Sequence, residues 1–318
     1  MPPIIEIKDL SKKYGKRTAV NQLNLAVEAG EIFGFVGPNG AGKTTTLRIL
    51  ATLLRANGGE AFIAGHSVRK APRGVRGVIG YMPDSFGIYH DMRVWEYLDF
   101  FGACYHLREG ERKRLVNDLL ELVDMTPRRD EMVDKLSRGM QQRLGLARTL
   151  IHDPQVLILD EPASGLDPRA RVEIRELLVE LARMGKTVFF STHILADVAE
   201  ICTRVGIIEA GRIVATGTLD ELQRGLATQR AVHISVLDRA TEAQEFLSAL
   251  PGVGGVEAHV EQNQQQRTRL EVKFTGDDAA LSAMLSGLTA RSIPIVHFSE
   301  DSQNLEDIFM QLTKSSLD

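Results

Sequence analysis

The chain has 318 residues, of which 43% are hydrophobic and 25% are charged, and its formal net charge is -4. This balance is typical of a globular protein of about two domains, and the slightly negative charge gives no support for nucleic-acid binding by bulk electrostatics. The two cysteines, Cys104 and Cys202, both lie in apolar segments and match neither a disulfide framework nor a zinc spacing, so we expect two buried thiols.

The first predicted elements are two strands with a basic loop between them. One strand is predicted at Ile4, Ile5 and Ile7, which have charged neighbours, and another at Leu23, Leu25 and Val27, which alternate with polar residues. Residues Lys12 to Gly15 lie between the two strands and indicate a basic loop, which carries the aromatic side chain of Tyr14.

A phosphate-binding loop follows. The apolar run Ile32 to Val36 predicts a buried strand, and residues Thr44 to Leu54 predict a helix. Between them, Gly37-Pro-Asn-Gly-Ala-Gly-Lys-Thr44 fits the pattern G-x-x-x-x-G-K-[ST] at every fixed position. Glycines allow the backbone N–H groups to face a phosphate at the positive end of the helix dipole.

This motif predicts that the chain binds a nucleoside triphosphate. Lys43 is expected to reach the β- and γ-phosphates, and the hydroxyl group of Thr44 is expected to bind Mg²⁺. The nucleotide-binding residues predicted at the loop are Gly37, Pro38, Asn39, Gly40, Ala41, Gly42, Lys43, Thr44 and Thr45.

The middle of the chain combines further strands with a helical segment. Short strands are predicted at Glu60 to Ala64 and at Val78 to Tyr81, the second shortly before Asp84. From Val94 to Leu136 the apolar spacing becomes helical, which indicates a helical insertion in an α/β framework. Ser137 then precedes another helix.

Two more apolar runs bring acidic and histidine side chains to the edge of the predicted sheet. Val156 to Asp160 and Thr187 to Ser191 predict buried parallel strands, whose carboxyl ends are where open α/β sheets carry their ligand sites. Of Asp160 and Glu161, one acid would hold a metal and the other would orient or deprotonate water. The alternative is a structural acidic turn, and His193, just after the second strand, could alone be a structural histidine.

A change of pattern near Arg224 predicts a second domain. Strand and helix periodicities alternate from Val232 to Phe298 in the order β-α-β-β-α-β, the ferredoxin-like split pattern. A terminal amphipathic helix is predicted from Leu305 to Leu312. The predicted domains are therefore residues 1–226, with the helical insertion at about 94–136, and residues 227–318.

The segment Leu136-Ser-Arg-Gly-Met-Gln-Gln-Arg143 resembles the signature motif of ATP-binding cassette (ABC) proteins, commonly LSGGQ. The phosphate-binding loop, Asp160-Glu161, Ser164-Gly-Leu-Asp167 and Ser191-Thr-His193 follow the order and spacing of that family. The resemblance covers the chain to about Leu226. It implies an α/β P-loop NTPase fold of the ABC ATPase type with a helical subdomain, followed here by an α+β ferredoxin-like domain.

The resemblance also implies catalytic roles. Lys43 would hold phosphates of ATP, and Asp160 resembles the acid that holds Mg²⁺ through water. Glu161 resembles the general base for attack by water, and His193 the switch residue that contacts the γ-phosphate. Tyr14 matches the position of an aromatic ring that stacks on adenine; the alternative is a surface tyrosine beside a turn.

Other roles implied by the resemblance depend on a second copy of the chain. Ser137 and Gly139 would bind the γ-phosphate of the ATP held by the other copy, at the positive end of their helix, and Asp167 would couple the two sites.

Three positions depart from the family pattern. Asp84 stands where glutamine is common and can accept hydrogen bonds from metal-bound water but cannot donate as an amide does; a plain turn aspartate is the alternative. Arg138 and Met140 replace the usual glycine and glutamine of the signature motif. Arg138 either adds positive charge near the phosphate or faces solvent, and the sequence fits both.

Two functions follow as hypotheses. The chain resembles the ATP-hydrolysing subunit of an ABC-2 type exporter of drugs, antibiotics or lipids, working as an ATP-bridged homodimer beneath separate integral membrane permeases and without nucleic acid. The alternative is a soluble ABC ATPase acting on ribosomes or DNA. The sequence shows neither a signal peptide nor an apolar run of about 18 residues, so we expect a location at the cytoplasmic face of the membrane, held by the permease.

Overall fold

A computed structural model describes residues 2–85, 87, 89, 91–226, 230–261 and 267–301. The chain divides into two compact units, Met1–Leu219 and Asp220–Asp318. Among the described residues, no helix combines the length and the apolar character needed to cross a bilayer. The α/β class predicted for the first unit and the α+β class predicted for the second are both confirmed.

The first unit contains two sheets. Its strands are β1 (Ile5–Tyr14), β2 (Arg17–Val27), β3 (Ile32–Val36), β4 (Gly58–Ile63), β5 (His66–Ser67), β6 (Ile79–Met82), β7 (Val156–Asp160), β8 (Thr187–Thr192), β9 (Arg204–Glu209) and β10 (Arg212–Gly217). One sheet has the order β2-β1-β4-β5 with antiparallel neighbours. The other has the order β10-β9-β3-β8-β7-β6 and is parallel except for its β9–β10 hairpin.

Helices pack around these sheets. They are α1 (Lys43–Leu50), α2 (Pro72–Val78), α3 (Val94–Cys104), α4 (Glu109–Leu122), α5 (Arg138–Leu150), α6 (Pro168–Arg183) and α7 (Leu195–Ile201), and α8 (Leu219–Leu226) follows them in the chain. The segment predicted as a helical insertion contains α3, α4 and two short 3-10 turns at Thr126–Arg128 and Val133–Lys135.

The central strands confirm the prediction of buried parallel strands. Every residue of β3, β7 and β8 is buried. One face of this sheet packs against α5 and α6, and the other packs against α1 and the antiparallel sheet. Phe33 of β3 stacks on Phe189 of β8 with ring centroids 5.5 Å apart. The carboxyl ends of these parallel strands therefore lie side by side at one edge of the sheet, which is held in place by the buried core.

Three local predictions were wrong. Lys12 to Tyr14 form no loop but continue β1, because register shifts around Lys12 displace the alternation that marks a strand. Helix α1 ends at Leu50 rather than Leu54, since Thr52 has a left-handed backbone with φ of 62°. The thiol of Cys104 is exposed at the last residue of α3, whereas burial raises the pKa of the Cys202 thiol.

The second unit confirms the ferredoxin-like prediction. Its elements are β11 (Arg230–Val236), α9 (Ala240–Ser248), β12 (Val253–Glu261), β13 (Arg267–Phe274), α10 (Asp278–Ala290) and β14 (Ile295–Asp301). The sheet has the order β12-β13-β11-β14 with antiparallel neighbours. Alternate residues of β11, such as Val232 and Ile234, pack with Leu247 of α9 and Leu288 of α10. The terminal helix predicted at Leu305 to Leu312 lies outside the described residues.

Candidate active site

The loop between β3 and α1 has the backbone that a phosphate cradle requires. Gly40 and Gly42 adopt left-handed conformations with φ of 82° and 113°, which glycine adopts without steric cost. At Gly42 a Cβ atom would lie 2.4 Å from the carbonyl oxygen of Ala19. The loop thus passes too close to β2 for any larger residue, and Lys43 begins the helix directly behind it.

The side chain of Lys43 turns back over this loop. Its Nζ donates a hydrogen bond to the carbonyl oxygen of Gly37 at 2.7 Å and forms an ion pair with Oε1 of Glu161 at 3.3 Å. The two side chains are only 6% and 12% exposed. A phosphate that bound Lys43 would therefore compete with the carboxylate of Glu161 for the same ammonium group.

Asp160 ends β7 beside the first turn of α1. Its Oδ1 accepts hydrogen bonds from Oγ1 of Thr44 at 3.1 Å and from Oγ of Ser191 at 2.7 Å. Burial raises the pKa of Asp160, and the charges of Asp84 and Glu161 raise it further, against the lowering effect of the two hydroxyl groups. The buried carboxylate of Asp160 and the hydroxyl group of Thr44 are both hard oxygen donors, the kind of ligand that Mg²⁺ prefers.

Glu161 follows with an unusual backbone. Its φ of 51° is left-handed, a conformation that costs a non-glycine residue roughly 1–3 kcal/mol and is often found at functional sites. The N–H group of Glu161 donates to the carbonyl oxygen of Ser191 at 3.2 Å and to its Oγ at 3.1 Å. The turn directs the carboxylate between Lys43 and His193, whose Nδ1 lies 2.8 Å from Oε2 of Glu161.

A cavity of about 510 Å³ joins these groups, and the sequence predicted most of its lining. The predicted residues that line it are Tyr14, Pro38, Asn39, Gly40, Gly42, Lys43, Thr44, Thr45, Asp84, Glu161 and His193. Tyr14 is 48% exposed at the end of β1, with Nζ of Lys12 5.4 Å from its ring centroid. Gly37 reaches the site through the hydrogen bond from Lys43, whereas Ala41 packs into the core.

Ser137 and Gly139 are not among the residues that line this cavity. Ser137 is the N-cap of α5, and its Oγ accepts a hydrogen bond from the N–H group of Met140 at 3.4 Å. Asp167 is the N-cap of α6 and accepts from the N–H groups of Arg169 and Ala170, each at 3.0 Å. The signature turn and the nucleotide cavity of one chain are thus separate features.

Sequence reasoning did not assign four residues of the site, one of which is Ala19 of β2, which lines the cavity. Arg17 lines the cavity and donates from Nη2 to the carbonyl oxygen of Gly40 at 3.3 Å. Ser164 also lines the cavity, and Ser191 holds both Asp160 and the backbone of Glu161. Ser191 could have been found, because its hydroxyl group stands at the end of a buried apolar strand that is expected to lie beside the strand of Asp160. Nothing in the local sequence distinguishes Arg17.

The raised pKa of Asp160 gives a prediction for the nucleotide-free protein. Folding favours the protonated form of Asp160 relative to the unfolded chain. The stability from this group is therefore fully present below the pKa of an unfolded aspartate, about 3.9, and is lost as pH rises through the folded pKa. We expect Asp160→Asn to raise the free energy of unfolding at neutral pH, because asparagine does not ionise and both hydroxyl groups can reorient toward it.

Urea unfolding without nucleotide or magnesium, at neutral and at mildly acidic pH, measures this effect. The advantage of the Asp160→Asn variant should shrink on the acidic side. A variant less stable than the wild type at neutral pH would contradict the prediction.

Comparison with known proteins identifies the domains. Residues 20–164 match the ABC transporter family, and residues 217–313 match the C-terminal domain of DrrA1-3-like ATP-binding proteins. The chain is 34% identical to the daunorubicin resistance ATP-binding protein DrrA2 of Streptomyces coeruleorubidus over 97% of this chain and 94% of that protein. It is 35% identical to the Nod factor export ATP-binding protein I of Burkholderia lata over 97% and 96% of the two chains. It is also 29% identical to the linearmycin resistance ATP-binding protein LnrL of Bacillus subtilis over 99% of each.

Solved structures agree with these matches. The structure is similar, with a TM-score of 0.64 and 31% identity, to the ATP-binding subunit of an ABC transporter, over 70% of this chain and 93% of that one. It is similar, with a TM-score of 0.62 and 25% identity, to a dimeric post-hydrolysis ATP-binding cassette bound to ADP and Pi, over 68% and 98%.

A glycine-rich loop on a parallel sheet, facing an acid pair and a histidine, defines a P-loop nucleoside triphosphatase. The signature turn and the second domain narrow that class. The chain belongs to the ATP-binding proteins of ABC transporters, in the group that includes drug-resistance exporters. The predicted ATPase activity and exporter class are confirmed, and these relatives do not favour the alternative of a soluble ATPase on ribosomes or DNA.

Proposed function

We propose that two copies of this chain close around two ATP molecules and so drive separate permease subunits of an exporter. The observation that carries this proposal is the convergence of Lys43, Glu161 and His193 on one open cavity. The signature turn at Ser137 and Gly139 is absent from the lining of that cavity. A second copy would supply it, with the positive end of α5 directed at the γ-phosphate. The solved dimeric cassette supports such an arrangement.

Binding of ATP exchanges the contacts of Lys43. The ammonium group leaves the carboxylate of Glu161 and binds phosphate oxygens, while the backbone N–H groups of the loop surround the phosphates. Tyr14 offers its exposed ring to the adenine. Binding of ATP, the substrate, thereby releases Glu161 from its ion pair with Lys43.

The oxygen donors beside the phosphate loop fit Mg²⁺. Thr44 and Asp160 present a hydroxyl group and a carboxylate within hydrogen-bond distance of each other. Thr44 and Asp84 line the cavity, whereas Asp160 is buried and is not among the residues that line it. Mg²⁺ prefers such oxygens together with waters and phosphate, and when bound it neutralises the charge of the β- and γ-phosphates. In the described part of the chain no cluster of three or more His, Cys, Asp or Glu side chains forms a metal site without the nucleotide.

Glu161 accepts the proton of the attacking water. Its backbone is fixed by Ser191, and His193 holds one carboxylate oxygen at 2.8 Å, so the other oxygen can point toward the water. His193 lies at the mouth of the same cavity, where its ring can contact the γ-phosphate. Hydrolysis removes that phosphate from between the two copies, and the dimer opens.

The transporter context comes from the relatives. Their names record resistance to daunorubicin and linearmycin and export of Nod factor. By analogy, this chain lies at the cytoplasmic face of a membrane, held there by a permease that binds a drug, antibiotic or lipid cargo. Nucleic acid is not a partner in this proposal.

Reconstitution tests the proposal. The chain is co-expressed with a candidate ABC-2 type permease, purified in detergent and placed in liposomes. We expect a stoichiometric complex whose ATP hydrolysis exceeds that of the chain alone and is required for cargo movement. Sedimentation of the chain with ribosomes, with no complex and no stimulation by the membrane protein, would overturn the proposal.

A further inference from the structure

The guanidinium group of Arg138 packs on the backbone of Gly165. A Cβ atom built on Gly165 would lie 2.4 Å from Nη1, 2.5 Å from Cζ and 2.7 Å from Nη2 of Arg138. Such similar distances to three atoms of a planar group mean that its face, rather than its edge, lies against Gly165. The φ of 67° at Gly165 also suits glycine. Arg138, which departs from the family signature, is exposed, and its guanidinium group lies against Gly165 rather than among the residues that line the nucleotide cavity.

Gly165 belongs to the short loop that links the proposed base to α6. The N–H group of Ser164 donates to the carbonyl oxygen of Glu161 at 3.1 Å, and Ser164 itself lines the nucleotide cavity. The loop ends at Asp167, which caps α6. Gly165 is four residues from Glu161 in the chain, and the hydrogen bond between Ser164 and Glu161 shortens this connection. A displacement of Gly165 is therefore expected to displace Glu161.

The start of α5 packs on the start of α6 at a second point. A Cβ atom on Gly139 would lie 3.1 Å from Cβ of Ala170, so the two helices approach closely there. Further along, Nη2 of Arg143 forms an ion pair with Glu173. Arg138, the first residue of α5, adds a third contact, which joins α5 to the loop that precedes α6.

The geometry points to Arg138 as a positioning residue for Glu161. Its flat guanidinium group connects the signature turn to the loop that fixes the base, so that the two segments move together. This inference rests on the proposed ATP-bridged dimer, in which the signature turn of one copy meets the ATP of the other. Binding of ATP by the partner copy would then change the position of the chain's own Glu161 through Arg138 and Gly165.

Steady-state ATPase measurements on three variants test this role. Arg138→Ala removes the contact, Arg138→Lys keeps the charge without the planar face, and Arg169→Ala is the control. Arg169 also lies near the start of α6, with its side chain 91% exposed and paired with Glu173, so its loss changes the surface charge equally. Misplacing a reacting group by about 1 Å can cost roughly 10²-fold in rate.

We expect Arg138→Ala and Arg138→Lys to lower kcat by roughly tenfold to a hundredfold with KM for ATP unchanged, and Arg169→Ala to behave as the wild type. Normal kcat in Arg138→Lys would show that charge alone matters and would overturn the positioning role. A raised KM with normal kcat would also overturn it, because it would indicate uniform loss of ATP binding.

Hydrogen exchange in the nucleotide-free chain provides a readout that needs no dimer. We expect faster exchange of amides in the loop from Glu161 to Asp167 in Arg138→Ala than in Arg169→Ala, because the packing on Gly165 is lost. Equal exchange in the two variants would overturn the inference. Failure of the dimer itself would appear separately, as a Glu161→Gln chain that stays monomeric with ATP while the exchange difference persists.

Discussion

Replacing Glu161 by glutamine is expected to lower kcat for ATP hydrolysis by roughly 10²–10⁴-fold, the usual contribution of a general base, while ATP binding is retained. Glutamine has the same shape and keeps the backbone hydrogen bonds to Ser191, but it cannot take the proton of the attacking water. It also removes the carboxylate that pairs with Lys43 at 3.3 Å. The ammonium group is then free for phosphate, so the affinity for ATP should not fall.

Single-turnover hydrolysis and equilibrium binding of labelled ATP measure the two effects separately. Size-exclusion chromatography adds a third measurement, since the variant should elute as a dimer with ATP and as a monomer with ADP. The matched control is Glu131→Gln, an exposed acid that pairs with Arg128 in the helical segment, and it should retain normal rates. A Glu161→Gln variant that hydrolyses ATP at nearly the wild-type rate would exclude Glu161 as the base.

The parts of this site that the sequence predicts are those set by local pattern. A strand buried on both faces needs an unbroken apolar run, so Val156 to Asp160 and Thr187 to Ser191 were recognisable, and with them the positions of Glu161 and His193. The glycine-rich loop is also recognisable from local sequence, because each position with a left-handed backbone strongly favours glycine. Residues close in sequence to a strand end could therefore be assigned to one sheet edge.

The parts that the sequence misses depend on contacts between distant segments. Arg17 reaches Gly40 only because the β1–β2 hairpin lies beside the phosphate loop, and the register shifts of β1 hide that hairpin from the alternation pattern. Likewise, the sequence left open whether Arg138 faces solvent or a phosphate; the residue is exposed, and the packing of α5 on α6 brings its guanidinium group to Gly165. Cys104 looked buried because its neighbours are apolar, but it ends its helix on the outside.

Replacing Lys43 by alanine is expected to weaken ATP binding by roughly tenfold to a hundredfold, the effect of about 1.5–3 kcal/mol for a hydrogen bond to a charged group. Isothermal titration with ATP measures this loss. Lys16→Ala is the matched control, because it removes the same charge from an exposed hairpin turn near the cavity. Equal affinities for the two variants would exclude Lys43 from phosphate binding.

The same substitution also acts on stability, which must be separated from binding. Glu161 is only 12% exposed, and removal of one partner from a buried ion pair costs roughly 3–5 kcal/mol. A Lys43→Ala chain could thus lose ATP because it unfolds. In Lys43→Ala the Glu161 carboxylate keeps its contact with Nδ1 of His193 but loses its lysine cation. In the double variant with Glu161→Gln that carboxylate charge is removed, so we expect its unfolding midpoint to recover toward that of the wild type while ATP binding stays weak. Tight ATP binding in the stable double variant would show that the loop backbone, without the Lys43 ammonium group, suffices to hold the phosphates.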